Sequence, residues 1–347
     1  MSAADLAPWN GAAGADFDSC PKVPALSIVA PCFNEEACLA EFVRRVTAAA
    51  QAVVGTDFEI VLVDDGSRDR TWALMAGLAA ADSRLTAIRL ARNFGHQRAL
   101  AAGLYSCRGD RVLVIDADLQ DPPELLADMM ALMDAGADVV YGQRRHRAGE
   151  SRFKSISARL FYRLLTRLAD VDIPVDTGDF RLMNRRVLDV FRSMPEEFQF
   201  IRGMISWIGM TQVPLQYDRE PRLAGETGYS LMQMLRLALD ALTGFSVLPL
   251  RIASYVGMLT GITSVMLLAY SIGSWLLGKT VDGWTSLASI VLILGSVQLL
   301  VLGVLGEYLG RLFMASKRRP RFVVQEVCRV PEPRPGSTAP AATQNVG

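Results

Sequence analysis

Asp116-Ala117-Asp118-Leu119-Gln120-Asp121-Pro122-Pro123 is the segment best suited to chemistry. If it is extended, alternate residues point the same way, so Asp116, Asp118 and Gln120 converge on one point. Three hard oxygen ligands on short side chains suit Mg2+ or Mn2+ together with the oxygens of a diphosphate. Pro122 discourages further helix or ladder and turns the chain outward. A second acidic cluster is Val63-Asp64-Asp65-Gly66-Ser67, with Asp69 close behind. Adjacent carboxylates repel each other, so this pair suits a donor-rich ligand such as a uracil N–H or ribose hydroxyls, or a metal; it would equally serve as a solvated acidic turn. Gly66 lets the backbone turn sharply there. Pro31-Cys32-Phe33-Asn34-Glu35-Glu36 reads either as a helix start with Asn34 as N-cap or as a ligand-facing loop. Arg92-Asn93-Phe94-Gly95-His96 offers a cation, a flexible glycine and a histidine. No second His or Cys is spaced to share a metal with His96, which is therefore expected to position by hydrogen bonding. Asp176-Thr177-Gly178-Asp179-Phe180-Arg181 sets two carboxylates around a glycine, an arrangement suited to sugar hydroxyls or a reacting phosphate. The basic run Arg144, Arg145, Arg147, Arg152, Lys154, Arg159, Arg163 and Arg167 reads mostly as a solvated helix face. Part of it is placed to meet an anionic acceptor, since guanidinium matches phosphate geometry.

Something must hold these groups together. The apolar runs Leu26–Ala30, Glu59–Val63, Leu85–Leu90, Arg111–Ile115 and Asp138–Tyr141 alternate with amphipathic stretches near Ala37–Val53, Arg70–Ala81, Gln97–Cys107 and Pro123–Asp134. Strands that are apolar throughout, alternating with helices, predict a mainly parallel sheet covered on both faces. Ligands of such sheets bind beyond the carboxyl ends of the strands, and the polar clusters above stand at those ends. The five cysteines are scattered without a C-x-x-C pair, which suits a reducing compartment and supports neither a zinc site nor a disulfide framework. A net charge of zero gives no reason to expect a nucleic-acid partner.

Hydrophobic residues make up 51% of the 347-residue chain, high for a soluble enzyme. The excess lies late: Ile252–Leu277 and Trp284–Gly306 hold no charged residue. Each exceeds the ~20 residues that cross a ~30 Å hydrocarbon core. Arg251 precedes the first, and Arg311, Lys317, Arg318, Arg319 and Arg321 follow the second, so both termini are expected in the cytoplasm, with the chain multi-pass in the inner (cytoplasmic) membrane. No signal peptide is expected. The expected division is a disordered tail over 1–24, a catalytic domain over 25–230, an interfacial amphipathic helix over 231–250, membrane helices over 252–277 and 284–312, and a C-terminal tail over 313–347.

These segments together resemble the family 2 glycosyltransferases that act on polyprenyl phosphates, among them bacterial undecaprenyl-phosphate glucosyltransferases and relatives of dolichyl-phosphate mannose synthase. The resemblance is carried by Pro31–Glu36, Val63–Ser67, Arg92–Gln97, Asp116–Glu124, Asp176–Arg181, Phe200–Gly203, Gly225–Tyr229 and Gly306–Arg311. It implies a glycosyltransferase A-type, Rossmann-like domain, and transfer of a sugar from a nucleotide-sugar donor to a polyprenyl phosphate with inversion. UDP-glucose is the favoured donor and GDP-mannose the alternative. It implies a metal, Mg2+ or Mn2+, on Asp116, Asp118 and Gln120. Nucleotide-sugar contacts are expected from Pro31, Asn34, Glu36, Asp64, Asp65, Gly66, Arg92, Gly95, Asp116 and Ala117. Catalytic roles fall to Asp116, Asp118, Arg144, Asp176 and Asp179, and the acceptor phosphate to Arg144, Lys154, Ser157 and Arg222. Where the family usually has Lys between Thr227 and Tyr229 this chain has Gly228, and Arg222 could substitute as the cation. Relatives of this type also make a homo-oligomer, in the form of a tetramer, an expectation here.

Other classes fit less well. A nicotinamide-dependent dehydrogenase needs G-x-G-x-x-G after the first strand, and none is present. A processive polysaccharide synthase would carry Gln-x-x-Arg-Trp, whereas Gln233-Met234-Leu235-Arg236-Leu237 lacks the tryptophan. A non-catalytic membrane protein that binds nucleotide sugars would have no use for three converging metal ligands.

Overall fold

Strands β1 (Leu26–Cys32) and β2 (Phe58–Asp64) are buried at every position, as expected of strands covered on both faces. The computed structural model describes residues 23–145, 177–196, 200–218, 248–277 and 283–330. Within them the chain forms α1 (Leu39–Val54), α2 (Thr71–Ala81), β3 (Leu85–Leu90), α3 (His96–Ser106), β4 (Arg111–Val114), a 3-10 turn at Pro123–Leu125, α4 (Leu126–Asp134) and β5 (Val139–Arg144). It continues with β6 (Thr177–Asn184), α5 (Arg185–Ser193), α6 (Ile201–Ile208), β7 (Gln212–Tyr217), α7 (Leu248–Leu276), α8 (Trp284–Ser316) and β8 (Val324–Cys328). The eight strands form one sheet in the order β7-β5-β6-β4-β1-β2-β3-β8.

Strand periodicity sorts the core into two layers. Leu26, Ile28 and Ala30 of β1 and Ile60 and Leu62 of β2 pack with Leu39, Phe42 and Val46 of α1 on one face. Val29, Val61 and Val63 face the opposite layer, which contains Ala99, Leu100 and Leu104 of α3 and Val187, Leu188 and Phe191 of α5. The central pairings β4–β1, β1–β2 and β2–β3 are parallel. These four strands therefore point their carboxyl ends, with the acidic motifs, to the same edge of the domain. At the opposite edge Ser27 Oγ donates to Glu59 Oε1 at 2.6 Å and Arg108 Nε to Glu59 Oε2 at 3.0 Å. A buried carboxylate is thereby satisfied away from the site.

Three elements differ from expectation. Asp176–Arg181, read as a polar motif, is largely β6, which runs antiparallel between β4 and β5. β5 continues past Tyr141 to Arg144, so that arginine ends a strand. Val324–Cys328, placed within the C-terminal tail, forms an edge strand antiparallel to β3. The chain is pinned just before it, where Arg321 donates to Met194 O at 2.9 Å and to Tyr105 Oη, and Phe322 lies 6.4 Å from the Tyr105 ring. α7 and α8 are long and apolar enough to cross a membrane, with mean hydropathies of 1.7 and 2.3 over Leu250–Ser274 and Ser289–Ser316. Almost none of the most apolar stretch of either is buried within the chain, whereas a core helix of a soluble protein is mostly buried. The expected interfacial helix over 231–250 lies mainly outside the described residues, as does the N-terminal tail apart from Val23 and Pro24.

α3 carries His96 and Gln97 at its start and approaches the sheet through Gly103. A Cβ there would collide with Val29 Cγ1 and come within 3.2 Å of Val63 Cγ2. Gly103→Ala should lower the stability of the domain by about 1–3 kcal/mol, the usual cost of overpacking. Thermal melting of the purified variant checks this.

Candidate active site

The first two strand ends are stapled to each other. Asn34 adopts a positive φ of 57°. Its Oδ1 accepts from Arg68 N at 2.9 Å, and its N–H donates to Ser67 Oγ at 3.0 Å. Glu36 Oε2 accepts from Arg70 N at 2.9 Å, while Asp69 Oδ2 accepts from Glu36 N at 3.3 Å. Asn34 is not the N-cap of α1, since that position belongs to Cys38. Asn34 and Glu36 were expected at the nucleotide; their side chains are engaged in holding the β1 and β2 loops together.

The third strand end is tied in by Asp65. Its two carboxylate oxygens accept from Phe94 N at 2.7 Å and Gly95 N at 2.9 Å. Burial raises its pKa against the lowering effect of those two hydrogen bonds. Gly66 makes this approach possible: φ is +71°, and a Cβ would lie 2.7 Å from Arg92 C and Asn93 N. Asp64 accepts from Ser67 N at 2.9 Å and lies 3.6 Å from Arg89 Nε. Pro31 sits beside Val63 in the sheet register, Arg92 is exposed with its guanidinium 4.3 Å from the Phe94 ring, and Gly95 has φ +99°.

At the fourth strand end the extended geometry expected for Asp116–Gln120 is absent. β4 stops at Val114, the chain turns, and Leu119 takes φ +60°. The alternation that was to align Asp116, Asp118 and Gln120 therefore does not apply. A turn gathers the carboxylates instead. Gln120 enters through its backbone N–H, which donates to Asp118 Oδ1 at 3.1 Å. Ala117 is buried between the two acids. Burial, and then the charges of Asp179, Asp121 and Asp118, push the Asp116 carboxyl above the usual carboxylate range, although His96 opposes this.

Asp179 is the hub of the far side. Its Oδ2 accepts from Gln97 Nε2 at 2.8 Å and meets His96 Nε2 at 3.0 Å; Oδ1 lies 3.0 Å from Arg202 Nε. Burial would raise its pKa, but Arg202 and His96 outweigh it and hold the carboxyl well below the ordinary range. Gln97 Oε1 accepts from Ile201 N at 2.9 Å, so α3, β6 and α6 meet at this point. Arg181 is buried with its guanidinium on Gly178 O and Asp179 O, and burial lowers its pKa to about 10. Arg144 Nε donates to Tyr217 Oη at 3.4 Å, and Tyr217 donates to Asp121. Asp176, Lys154, Ser157, Arg222 and Gly228 lie outside the described residues.

The structure thus brings Asp116, Asp118, His96 and Asp179 together and places Arg144 beside Asp121. It adds Gln97, Arg202, Asp121 and Tyr217, none of them singled out from sequence. Gln97, Asp121 and Arg202 lay within the matched segments Arg92–Gln97, Asp116–Glu124 and Phe200–Gly203, which was a signal; Tyr217 had none, because its meeting with Arg144 depends on β7 joining β5. Among the described residues no three His, Cys, Asp or Glu side chains are arranged to hold a metal ion alone. A divalent ion still fits here if ligand oxygens complete its shell. Asp116 Oδ1 is buried without a hydrogen bond, and hard carboxylate donors suit such an ion.

An α/β sheet with acidic loops at its carboxyl edge, followed by an apolar helical hairpin, defines a membrane-associated enzyme with an A-type glycosyltransferase fold. Residues 27–191 match the family described as Glycosyl transferase family 2, and residues 248–312 match the one described as GtrB C-terminal hairpin. The "Uncharacterized glycosyltransferase YkcC" of Bacillus subtilis is 43% identical over 303 residues, 86% of this chain and 93% of that one. The "Bactoprenol glucosyl transferase" of Shigella phage SfV is 38% identical over 306 residues, 86% of this chain and 98% of that one. The crystal structure of S. aureus TarS 1–349 in complex with UDP-GlcNAc matches at 18% identity and a TM-score of 0.45, over 63% of this chain and 65% of that one. The chain belongs to glycosyl transferase family 2 and is a glycosyltransferase.

His96 supplies a pH signature. Desolvation lowers its pKa, but the Asp179 hydrogen bond and the charges of Asp116 and Asp179 raise it from 6.5 to about 9. A folded pKa above the unfolded value stabilises fully below about pH 6.5, and that contribution disappears as pH rises through about 9. In chelator-treated protein the melting temperature should fall across that window, and His96→Gln should flatten the fall.

Proposed function

We propose that this enzyme transfers a glucosyl residue from a nucleotide-sugar donor, UDP-glucose first among candidates, to the phosphate of a polyprenyl lipid, undecaprenyl phosphate being the favoured acceptor. The observation that carries the proposal is the acidic turn at the end of β4. There Asp116 keeps a buried oxygen without a hydrogen bond, 3.5 Å from His96 Nε2, on the turn where Gln120 N donates to Asp118. Such a turn calls for a cation and for an anion that accompanies it. The relatives called bactoprenol glucosyl transferases support the choice of sugar and lipid, matching this chain over nearly their full length.

Asp116 and Asp118 would hold Mg2+ or Mn2+, with Gln120 adjacent. When bound, the ion supplies charge neutralisation for the donor diphosphate and its departure. The chain's own residues do the rest. Loops locked by Asn34, Glu36, Asp65 and Gly66 fix the walls of the donor site before the substrate arrives. Arg144 grips the acceptor phosphate, which carries about −1.5 to −2 charges at pH 7 and is nucleophilic without a strong base. Lys154, Ser157 and Arg222 are assigned to the same phosphate. His96 and Arg202 keep Asp179 ionised, and Asp179 in turn orients His96 towards Asp116. Inversion at the anomeric carbon follows from a single displacement by that phosphate.

α7 and α8 would cross the inner membrane as a hairpin with both chain ends in the cytoplasm, which brings the catalytic edge to the level where a lipid phosphate emerges. Oligomerisation through the hairpin, up to a tetramer, belongs to the same proposal.

Asp118→Asn and Asp116→Asn should each lower turnover about 10²-fold or more, the scale of losing one preorganised electrostatic group. Membranes containing each variant, incubated with radiolabelled UDP-glucose and undecaprenyl phosphate, report this as lost lipid labelling. Chelation should silence the wild type, and Mg2+ or Mn2+ should restore it. Undiminished labelling by Asp118→Asn would remove the proposal's centre. A panel with GDP-mannose and UDP-GlcNAc decides the donor.

A further inference from the structure

Arg144 ends β5 directly opposite Tyr217, which ends β7. Tyr217 accepts from Arg144 Nε at 3.4 Å and donates its single hydroxyl proton to Asp121 Oδ1. Burial, reinforced by Asp121, raises the phenol pKa, so the proton stays on Tyr217 at neutral pH. Asp121 is fully buried at its side chain and lies 3.9 Å from Arg144 Nη2.

The pocket around this trio is shaped to admit it. The Tyr217 ring stands edge-on to Phe180, 5.7 Å between centroids. A Cβ at Gly142 would come within 2.7 Å of Phe180 Cδ1 and 2.8 Å of Tyr217 Cε1, so only glycine lets both rings sit there. A Cβ at Gly178 would reach within 2.9 Å of Arg144 Nη2, so glycine also leaves the guanidinium its space. Four strand or loop ends, from β4, β5, β6 and β7, converge on one guanidinium.

We infer that Tyr217 and Asp121 form a socket that presets the Arg144 guanidinium for the acceptor phosphate, with Tyr217 a positioning residue that acts through Arg144. This rests on the role given to Arg144 in the proposed function. Arginine has many rotamers in solution, and a guanidinium already held along its Nε side meets phosphate with less ordering left to do. The socket adds nothing to donor binding.

Equilibrium binding of farnesyl phosphate to the full-length protein in detergent tests this without presuming the donor sugar. Tyr217→Phe should weaken binding about 10-fold or more, the range of a hydrogen bond to a charged group. UDP binding should stay within about 2-fold of wild type, the tolerance of sites that do not couple. Arg144→Ala should weaken farnesyl phosphate at least as much. The double variant Tyr217→Phe/Arg144→Ala should be no weaker than Arg144→Ala alone, because a residue acting through Arg144 has nothing left to do once it is gone. Asp121→Asn, which keeps the shape of the pocket, should shift the same ligand in the same direction and guards against a folding defect in Tyr217→Phe. If Tyr217→Phe binds like wild type while Arg144→Ala is weakened, the socket is wrong and the role of Arg144 survives. If the two losses multiply in the double variant, Tyr217 acts independently and the socket is wrong. If Arg144→Ala binds like wild type, the role of Arg144 falls and the socket with it.

Discussion

Burying a carboxylate costs several kcal/mol unless partners replace the water it loses. This domain buries Asp64, Asp65, Asp118, Asp121 and Asp179 at one edge of its sheet, with Asp116 partly buried among them. Each has its own solution. Asp65 takes two backbone N–H groups, Asp64 faces Arg89, Asp118 takes the Gln120 N–H, Asp121 takes the Tyr217 hydroxyl, and Asp179 draws on His96, Gln97 and Arg202. One oxygen on each of Asp64, Asp116, Asp121 and Asp179 has no hydrogen bond, and at Asp116 burial, followed by the charges of Asp179, Asp121 and Asp118, pushes the carboxyl above its usual range against the pull of His96. A carboxyl held this way suits a cation, which would take up the charge of a polyanionic donor.

The same compensations build the scaffold. Asp65 welds the second strand end to the third, and the Asn34–Ser67 and Glu36–Asp69 exchanges weld the first to the second. Because three strands are parallel and in register, their loops fall side by side with no need for long-range guidance. The polar residues of those loops therefore act on one another first and on a ligand second. β8 pairs with β3 and Arg321 contacts Tyr105 of α3, so the segment that follows α8 is fastened to the sheet that carries the site.

Much of this was legible in the residues. Uninterrupted apolar runs such as Ile60–Val63 announce central parallel strands, and a parallel sheet sends its loops to one edge. The long uncharged segments announced the two helices, and the acidic motifs fall at the carboxyl edge of the sheet, as expected of loops that follow parallel strands. What stayed hidden depends on tertiary pairing. β6 opens Thr177-Gly178-Asp179-Phe180-Arg181, a poor strand start on propensity that is paired by β4 and β5 from both sides. β8 lies beyond the apolar hairpin and is exposed along its outer face, so no hydrophobic alternation marks it. Asp116–Gln120 was read as extended, but the positive φ of Leu119 turns it, and sequence spacing alone carries no sign of that. Tyr217 and Arg144 are 73 residues apart and meet only through the register of two strands.

The cation at Asp116 is the claim from which the proposed donor site and chemistry follow. Mn2+ binding to the purified enzyme, followed by electron paramagnetic resonance in the presence of UDP, tests it most directly. Wild type should immobilise the ion, and an Asp116→Asn chain that melts normally should bind it at least about 10-fold more weakly, the loss typical of disturbing a metal's ligand set. Equal binding by the two proteins would show that the acidic turn closing β4 does not hold the ion.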